Sequence, residues 1–234
     1  MKITFIRHAE PDYENNTLTK KGFEEAELLG KHFPKNDKMI FFCSPLNRAL
    51  LTIKSITTNH KVYDWLKEFD KAVKLPYDND YHCTWNFMPS YYVKENNLLY
   101  DNDYLDKYPL NTNPEIKQYY QEIISNFDKL LENYGYKRDG KMYTATKSND
   151  LELVFVCHFG LISVLMSHLI NVPYTLLACT FFCPPTGIVR FISEEREKQK
   201  AIFRCVCYGD TTHLNIANHP ISSSGRFQEI YKNK

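Results

Sequence analysis

The chain sets Arg7 beside His8 directly after a short apolar run, Lys2 to Ile6. Arg48 follows a second run, Met39 to Cys43, and His158 comes directly after a third, Leu151 to Cys157. Guanidinium groups grip phosphate-type oxyanions in bidentate fashion and stay charged at any working pH, so two arginines and two histidines around one crevice make a site for a dianion. A neutral imidazole is a competent nucleophile toward phosphorus, and a covalent intermediate divides one hard displacement into two easier ones. A transferring phosphoryl group spreads its charge over the equatorial oxygens, so positioning and electrostatic stabilisation supply most of the catalysis. A carboxylic acid completes the set by protonating the leaving oxygen and later activating water.

These groups need elements to hold them. The three apolar runs read as strands, the second as a continuous one suited to a buried parallel strand and the third as the clearest in the sequence. Thr19 caps a helix expected from about Lys20 to Phe33. A second helix, from about Leu46 to Thr57, carries Arg48, and Lys61 to Tyr63 is a further short strand. Pro114 to Tyr134 is helical, with Ile116, Tyr120, Ile123, Phe127 and Leu131 along one face. A helix begins near Gly160 and runs to about Ile170. Gly187 to Ser193 and Ala201 to Tyr208 are two closing strands around a charged turn, Gly135 to Asp150 reads as a polar surface loop, and the tail after Gly209 as loop. Strands alternating with helices imply an α/β fold of three layers, α/β/α, with a mostly parallel central sheet. In such sheets the loops at the carboxyl ends of the strands share one edge, where ligands bind. Arg7, His8, Arg48 and His158 all lie at such transitions.

Residues 70–113 break this pattern. They are rich in Tyr, Asn and Asp, hold Trp85, Tyr91 and Tyr92, and have no clean period. A stretch of that length is too long for a plain connection, so it reads as an inserted lid on a single domain spanning 1–234. The aromatic residues are expected to form the lid's own small core, with stacking on a leaving group as the alternative.

Composition narrows the function classes. The 234 residues are 43% hydrophobic and 24% charged with net charge +1, so no basic surplus points to nucleic acid or an anionic membrane. The apolar stretch from Leu151 to Ile170 is interrupted by Glu152, His158, Gly160 and His168, and divides better into a strand and a helix than it spans a bilayer. The first residues lack the basic and apolar regions of a signal peptide. Seven scattered cysteines suit buried free thiols in a reducing cytoplasm. Cys205 and Cys207 have no partner pair at zinc spacing, and no glycine-rich phosphate loop is present, so neither metal nor cofactor is expected.

Four ordered blocks resemble one known family, the histidine phosphatase superfamily, whose fold is called phosphoglycerate-mutase-like. Ile6-Arg7-His8-Ala9-Glu10-Pro11 resembles its Arg-His-Gly-Glu signature, and Leu18-Thr19-x-x-Gly22-x-x-Glu25-Ala26 the helix start that follows. Cys43-Ser44-Pro45-Leu46-x-Arg48-Ala49-x-x-Thr52 resembles the second-arginine motif, and Val156-Cys157-His158 the second-histidine motif. The resemblance implies that His8 becomes phosphohistidine, that Arg7, Arg48 and His158 bind the phosphoryl group, and that His158 also stabilises charge during exchange. It places the acid/base glutamate at Glu68, with Asp64, Asp70, Asp78 and Asp80 as alternatives. Phe159 stands where the family often has glycine, which constrains the approach of its backbone N–H to the phosphate. Glu14 replaces an asparagine usual in the mutases, which favours hydrolysis over phosphoryl shuttling. The implied activity is a metal-independent histidine acid-type phosphatase acting on a small phosphomonoester. A phosphoglycerate-type mutase and a phosphate-binding scaffold are the alternatives. Asp210-Thr211-Thr212-His213 resembles a stretch near the end of related phosphatases and is read only as loop.

Overall fold

A computed structural model describes residues 1–94 and 98–231. In chain order the elements are β1 (Lys2–Arg7), β2 (Pro11–Asp12), β3 (Thr17–Leu18), α1 (Lys20–His32), β4 (Met39–Cys43), α2 (Asn47–Ile56) and β5 (Lys61–Val62). The expected insertion contributes β6 (Ala72–Lys74), β7 (Tyr81–Cys83) and α3 (Pro89–Lys94). Then come α4 (Pro114–Asn133), β8 (Tyr136–Asp139), β9 (Met142–Ala145), β10 (Glu152–Cys157), α5 (Phe159–Ile170), α6 (Tyr174–Thr180), β11 (Ile188–Glu197), β12 (Lys200–Asp210) and α7 (Thr212–Ile216).

An eight-stranded sheet in the order β5-β4-β10-β1-β11-β12-β9-β8 forms the middle layer. Its first four strands are mutually parallel. Beyond β1 the neighbours pair antiparallel, so only β11 and β9 oppose the other six. Strands β1 and β10 are buried on both faces: β10 carries the unbroken run Leu153 to Cys157, and in β1 Thr4 lies buried among Ile3, Phe5 and Ile6 with its hydroxyl donating to Glu152 at 2.6 Å. Successive side chains sort to opposite layers. Ile3, Phe5, Leu153 and Phe155 join Phe127 of α4 and Leu161 of α5 on one side. Ile6, Val154 and Val156 meet Leu29 of α1 and Ile53 of α2 on the other. Phe155 centres an aromatic cluster, with ring centroids 4.9 Å from Phe42, 5.5 Å from Phe5 and 5.9 Å from Phe127. The three-layer α/β fold expected from the sequence is the one observed.

Two helix starts are written locally. Thr19 accepts the Gly22 N–H at 2.9 Å to cap α1. Asn113 caps α4 by accepting the Glu115 N–H at 3.1 Å, with Pro114 at the first helical position.

Two readings need correction. The segment from Gly135 to Asp150 is no plain loop: β8 and β9 pair as a hairpin that extends the sheet and buries Tyr136 and Tyr143. Gly140-Lys141 supplies the two-residue turn, with Gly140 at φ +57. After Gly209 the chain forms α7 and then returns toward β1, as described below. The described residues of the 70–113 segment carry little regular structure. Their Leu98, Tyr104 and Leu110 are buried in the same core as the sheet, so this segment packs onto the domain rather than standing off it.

Candidate active site

Strand register aligns the site. Arg7 is paired with Cys157 and Val156 with Cys43, so β1, β10 and β4 end level and release His8, His158 and Ser44 at one edge. The His8 N–H donates to the Cys157 carbonyl at 2.9 Å, and the Ser44 N–H to the Val156 carbonyl at 3.0 Å, carrying that alignment one residue past the strands. Helix α2 starts from the β4 exit and brings Arg48 in on its first turn. Thr52, one turn later, donates to the Arg48 carbonyl at 2.7 Å and accepts the Ala9 N–H at 3.0 Å, tying this helix to the loop after His8.

Arg7, His8 and His158 are almost completely buried. The two imidazole centroids lie 5.1 Å apart. His8 Nδ1–H donates to the Ala9 carbonyl at 2.7 Å, an assignment that follows because a carbonyl can only accept. The lone pair of the neutral ring is therefore on Nε2, which accepts from Arg48 Nε–H at 3.2 Å. Burial, and then the Arg7 and Arg48 cations, hold the His8 pKa well below the ordinary range. His158 is held down likewise by burial and then by His8, Arg48 and Arg7. His158 Nε2 shares a 2.7 Å hydrogen bond with the Ser44 hydroxyl, while Nδ1 is buried without a partner among the described residues. Arg7 Nε is also buried and unpartnered. An unpaired buried donor is costly, and the Arg7 Nε–H marks where an anion fits; the His158 Nδ1 joins it in the tautomer whose Nε2 accepts from the Ser44 hydroxyl.

Glu68 follows the short turn Asp64–Leu66 and reaches the start of α5. Its Oε1 accepts the Phe69 N–H at 2.8 Å and the Leu161 N–H at 3.0 Å. Burial raises the carboxyl pKa, outweighing those two bonds and the more distant Arg48 and Arg7 charges. With Oε1 committed to two donors, a retained proton sits on Oε2. None of the alternative carboxylates has such a setting. Asp64 is exposed and paired with Lys67 at 2.6 Å, Asp78 pairs with His82 at 2.7 Å, and Asp70 and Asp80 are exposed. Glu68 also borders a cleft of about 540 Å³ lined by Leu46, Lys67, Lys71 and Tyr119 and by the carboxylates of Asp64, Asp70, Glu115 and Glu122.

Phe159 is the first residue of α5, so its backbone N–H has no intrahelical partner and lies at the positive end of the helix, next to His158. Its ring packs edge-on to Trp85, with centroids 6.3 Å apart. Gly160 is needed here: an added Cβ would lie 2.3 Å from the Trp85 ring and 2.8 Å from Glu68 Oε1. Of the three aromatic residues singled out in the insertion, Trp85 alone stands against this edge. Tyr91 is buried against Phe87 and Tyr77, and Tyr92 reaches the Cys179 carbonyl. Glu14 lies exposed on the turn between β2 and β3.

Several supporting residues carry no catalytic signature in the sequence. Thr186, at the left-handed φ of +57, donates its N–H to the carbonyls of Arg7 (3.0 Å) and His8 (3.3 Å). His213, expected only as loop, is buried and hydrogen-bonded to the Thr186 hydroxyl at 2.9 Å. The seven cysteines are all free. Among the described residues no group of His, Cys, Asp and Glu has the arrangement of a metal site, and no helix is long and apolar enough to cross a membrane.

Comparison with known proteins bears out the resemblance. The model of the histidine phosphatase superfamily (branch 1) matches residues 3–71, which contain Arg7, His8, Arg48 and Glu68. No curated protein matches the chain. Among solved structures, phosphoserine phosphatase from Entamoeba histolytica, in complex with 3-phosphoglyceric acid, superposes with a TM-score of 0.58 at 20% identity over 91% of this chain and 98% of that one. A mycobacterial glucosyl-3-phosphoglycerate phosphatase bound to inorganic phosphate gives 0.56 at 14% identity over 91% and 98%. The alpha-ribazole phosphatase of Shigella flexneri gives 0.50 at 18% identity over 88% and 95%. At these identities the likeness establishes a shared phosphoglycerate-mutase-like fold.

Proposed function

We propose that this chain is a metal-independent phosphomonoesterase that works through a phosphohistidine on His8 and acts on a small phosphorylated metabolite. The observation that carries this reading is the fixed tautomer of His8: Nδ1–H is held by the Ala9 carbonyl, so a lone pair stands on Nε2 beside the Arg48 fork. The phosphatase names of the structural neighbours agree with it.

The phosphoryl dianion is bound by Arg7, Arg48, the His158 Nδ1 side and the N–H of Phe159 at the start of α5. These groups carry two full positive charges plus a helix terminus, so charge neutralisation requires no metal. Binding turns the Arg48 N–H from His8 to a phosphate oxygen and frees the Nε2 lone pair. Nε2 then attacks phosphorus as the P–O ester bond breaks, and the Glu68 proton passes to the leaving oxygen. The alcohol departs through the cleft beside Glu68. In the second half a water gives its proton to the Glu68 carboxylate and its oxygen to phosphorus. The N–P bond breaks, and neutral His8, protonated Glu68 and inorganic phosphate result. His158 and the two guanidinium groups meet the equatorial charge in both transition states.

The test is steady-state hydrolysis of an aryl phosphate in the presence of EDTA by wild type and His8→Ala. Phosphate release by the wild type alone is expected. Equal release by both would end the nucleophile assignment. Release abolished by EDTA would end metal independence.

A further inference from the structure

Arg7 is held in an unusual way for a buried cation: among the described residues no carboxylate pairs with it. Its Nη1 instead donates to two main-chain carbonyls, Cys183 at 2.7 Å and Ser224 at 3.2 Å. That uses both Nη1 protons and leaves the Nε/Nη2 edge of the fork, where Nε is buried and unpartnered. A carboxylate in the same place would orient the side chain equally well but would cancel the charge that an oxyanion needs. Carbonyls orient it and leave the charge intact.

One of those carbonyls comes from the far end of the chain. After α7 the backbone turns at Asn218, at φ +52, and His219 meets Glu24 at 3.3 Å. Ser222 then becomes buried, and its hydroxyl donates to Glu10 Oε2 while accepting the Ser224 N–H at 3.0 Å. Glu10 is itself fixed, since Oε1 accepts from the Thr19 hydroxyl at 2.9 Å and its N–H donates to buried Glu25 at 2.9 Å. Gly225 follows at φ +79, pressed against the guanidinium. A Cβ there would stand 3.0 Å from Nη2 and 3.4 Å from Nη1. Past this point Phe227, Ile230 and Tyr231 are exposed.

We propose that residues 222–225 form a positioning strap for Arg7: tethered through Ser222 to Glu10, the strap uses the Ser224 carbonyl and the bare Gly225 backbone to hold the guanidinium with its Nε/Nη2 edge toward the phosphoryl group. This rests on the phosphate-site reading above. A guanidinium on a long stem gives up rotamer freedom when fixed, so fixing it before the ligand arrives is part of what the ligand gains.

The experiment is a double-mutant cycle on the full-length protein. Inorganic phosphate binding is measured by calorimetry, and kcat and KM with an aryl phosphate, for Gly225→Ala, Ser222→Ala, Arg7→Met and the Gly225→Ala/Arg7→Met double variant. Losing one well-placed charge-assisted bond is worth roughly a 10- to 150-fold loss. Gly225→Ala is expected to weaken phosphate binding and lower kcat/KM within that range in the Arg7 background, and to cost nothing further once Arg7 is Met. Ser222→Ala, which leaves Gly225 in place, is expected to move the same parameters in the same direction by less. Equal losses from Gly225→Ala in both backgrounds would overturn the strap, as would no loss in either single strap variant. If Arg7→Met itself leaves phosphate binding unchanged, the phosphate pocket is what fails.

Discussion

Replacing Glu68 by Gln removes one transferable proton and little else. The amide oxygen can accept the Phe69 and Leu161 N–H bonds that Oε1 now accepts, so the anchor at the start of α5 is kept. What is lost is the proton on the other oxygen. An alkyl phosphate must leave as an alkoxide unless it is protonated, and general acid catalysis is worth about 10²- to 10⁴-fold. That corresponds to about 3–5 kcal/mol of barrier. An aryl phosphate leaves as a stabilised phenolate, so its kcat/KM, which reports only the first displacement, should barely change. Its kcat should nevertheless fall, because Glu68 must also take the proton of the attacking water. The pH profile supplies a second readout. The productive free enzyme has His8 neutral and Glu68 protonated. Burial together with the Arg7 and Arg48 charges keeps His8 neutral below its usual 6.5, and burial keeps Glu68 protonated above its usual 4.5. For an alkyl phosphate kcat/KM therefore declines on the alkaline side as pH rises through the raised Glu68 pKa, and the variant should lack that decline. The substrate's own second ionisation, near pH 6, affects both enzymes and cancels in their ratio. The assay is kcat/KM across a series of phosphomonoesters of graded leaving-group basicity. A uniform loss across the series, or an alkaline limb that survives in the variant, would refute Glu68 as the acid.

Arg48→Lys keeps the charge but loses the planar fork whose Nε–H now reaches His8, and should lower kcat/KM roughly 10- to 100-fold; unchanged kcat and KM would remove Arg48 from the phosphate pocket. His213 is held to about 4 by burial, against 6.5 when unfolded. Below 6.5 the unfolded chain takes up the proton first, so the His213 contribution is complete above that pH and is lost as pH falls toward 4. Denaturant unfolding should therefore show wild type losing about 3 kcal/mol more than His213→Gln between about pH 7 and about pH 4; parallel pH dependences would show that His213 takes up its proton in the fold as readily as in the unfolded chain.

Much of the site was legible because each central group ends an element with its own local signal. The apolar runs of β1, β4 and β10 read as strands of a mostly parallel sheet, and the residues that leave them, Arg7-His8, Ser44 and His158, meet at one edge because the strand order β4-β10-β1, which no local pattern encodes, sets them side by side. Glu68 was visible as a carboxylate in a plausible place, but its rank over Asp64 or Asp70 depends on burial, which no local pattern encodes. The β8–β9 hairpin was hidden behind Lys137, Arg138 and Lys141, although Gly140 at the head of a two-residue loop was available as its signal. The support from Thr186, His213 and residues 222–225 was not legible at all. It works through backbone amides, carbonyls and a bare glycine more than 170 residues away from Arg7 in sequence, and such groups have no side-chain signature.

The covalent role of His8 is most directly tested on Glu68→Gln mixed with an aryl phosphate. Phosphorylation of His8 then needs no acid, while hydrolysis of the intermediate lacks its base, so the intermediate should accumulate. Quenching in alkali, where phosphohistidine survives, and mapping by mass spectrometry should find one phosphoryl group per chain on the peptide that holds His8, with a matching burst of phenol. Phenol release in step with free phosphate while His8 stays unmodified, or a phosphoryl group on any other residue, would contradict the phosphohistidine mechanism.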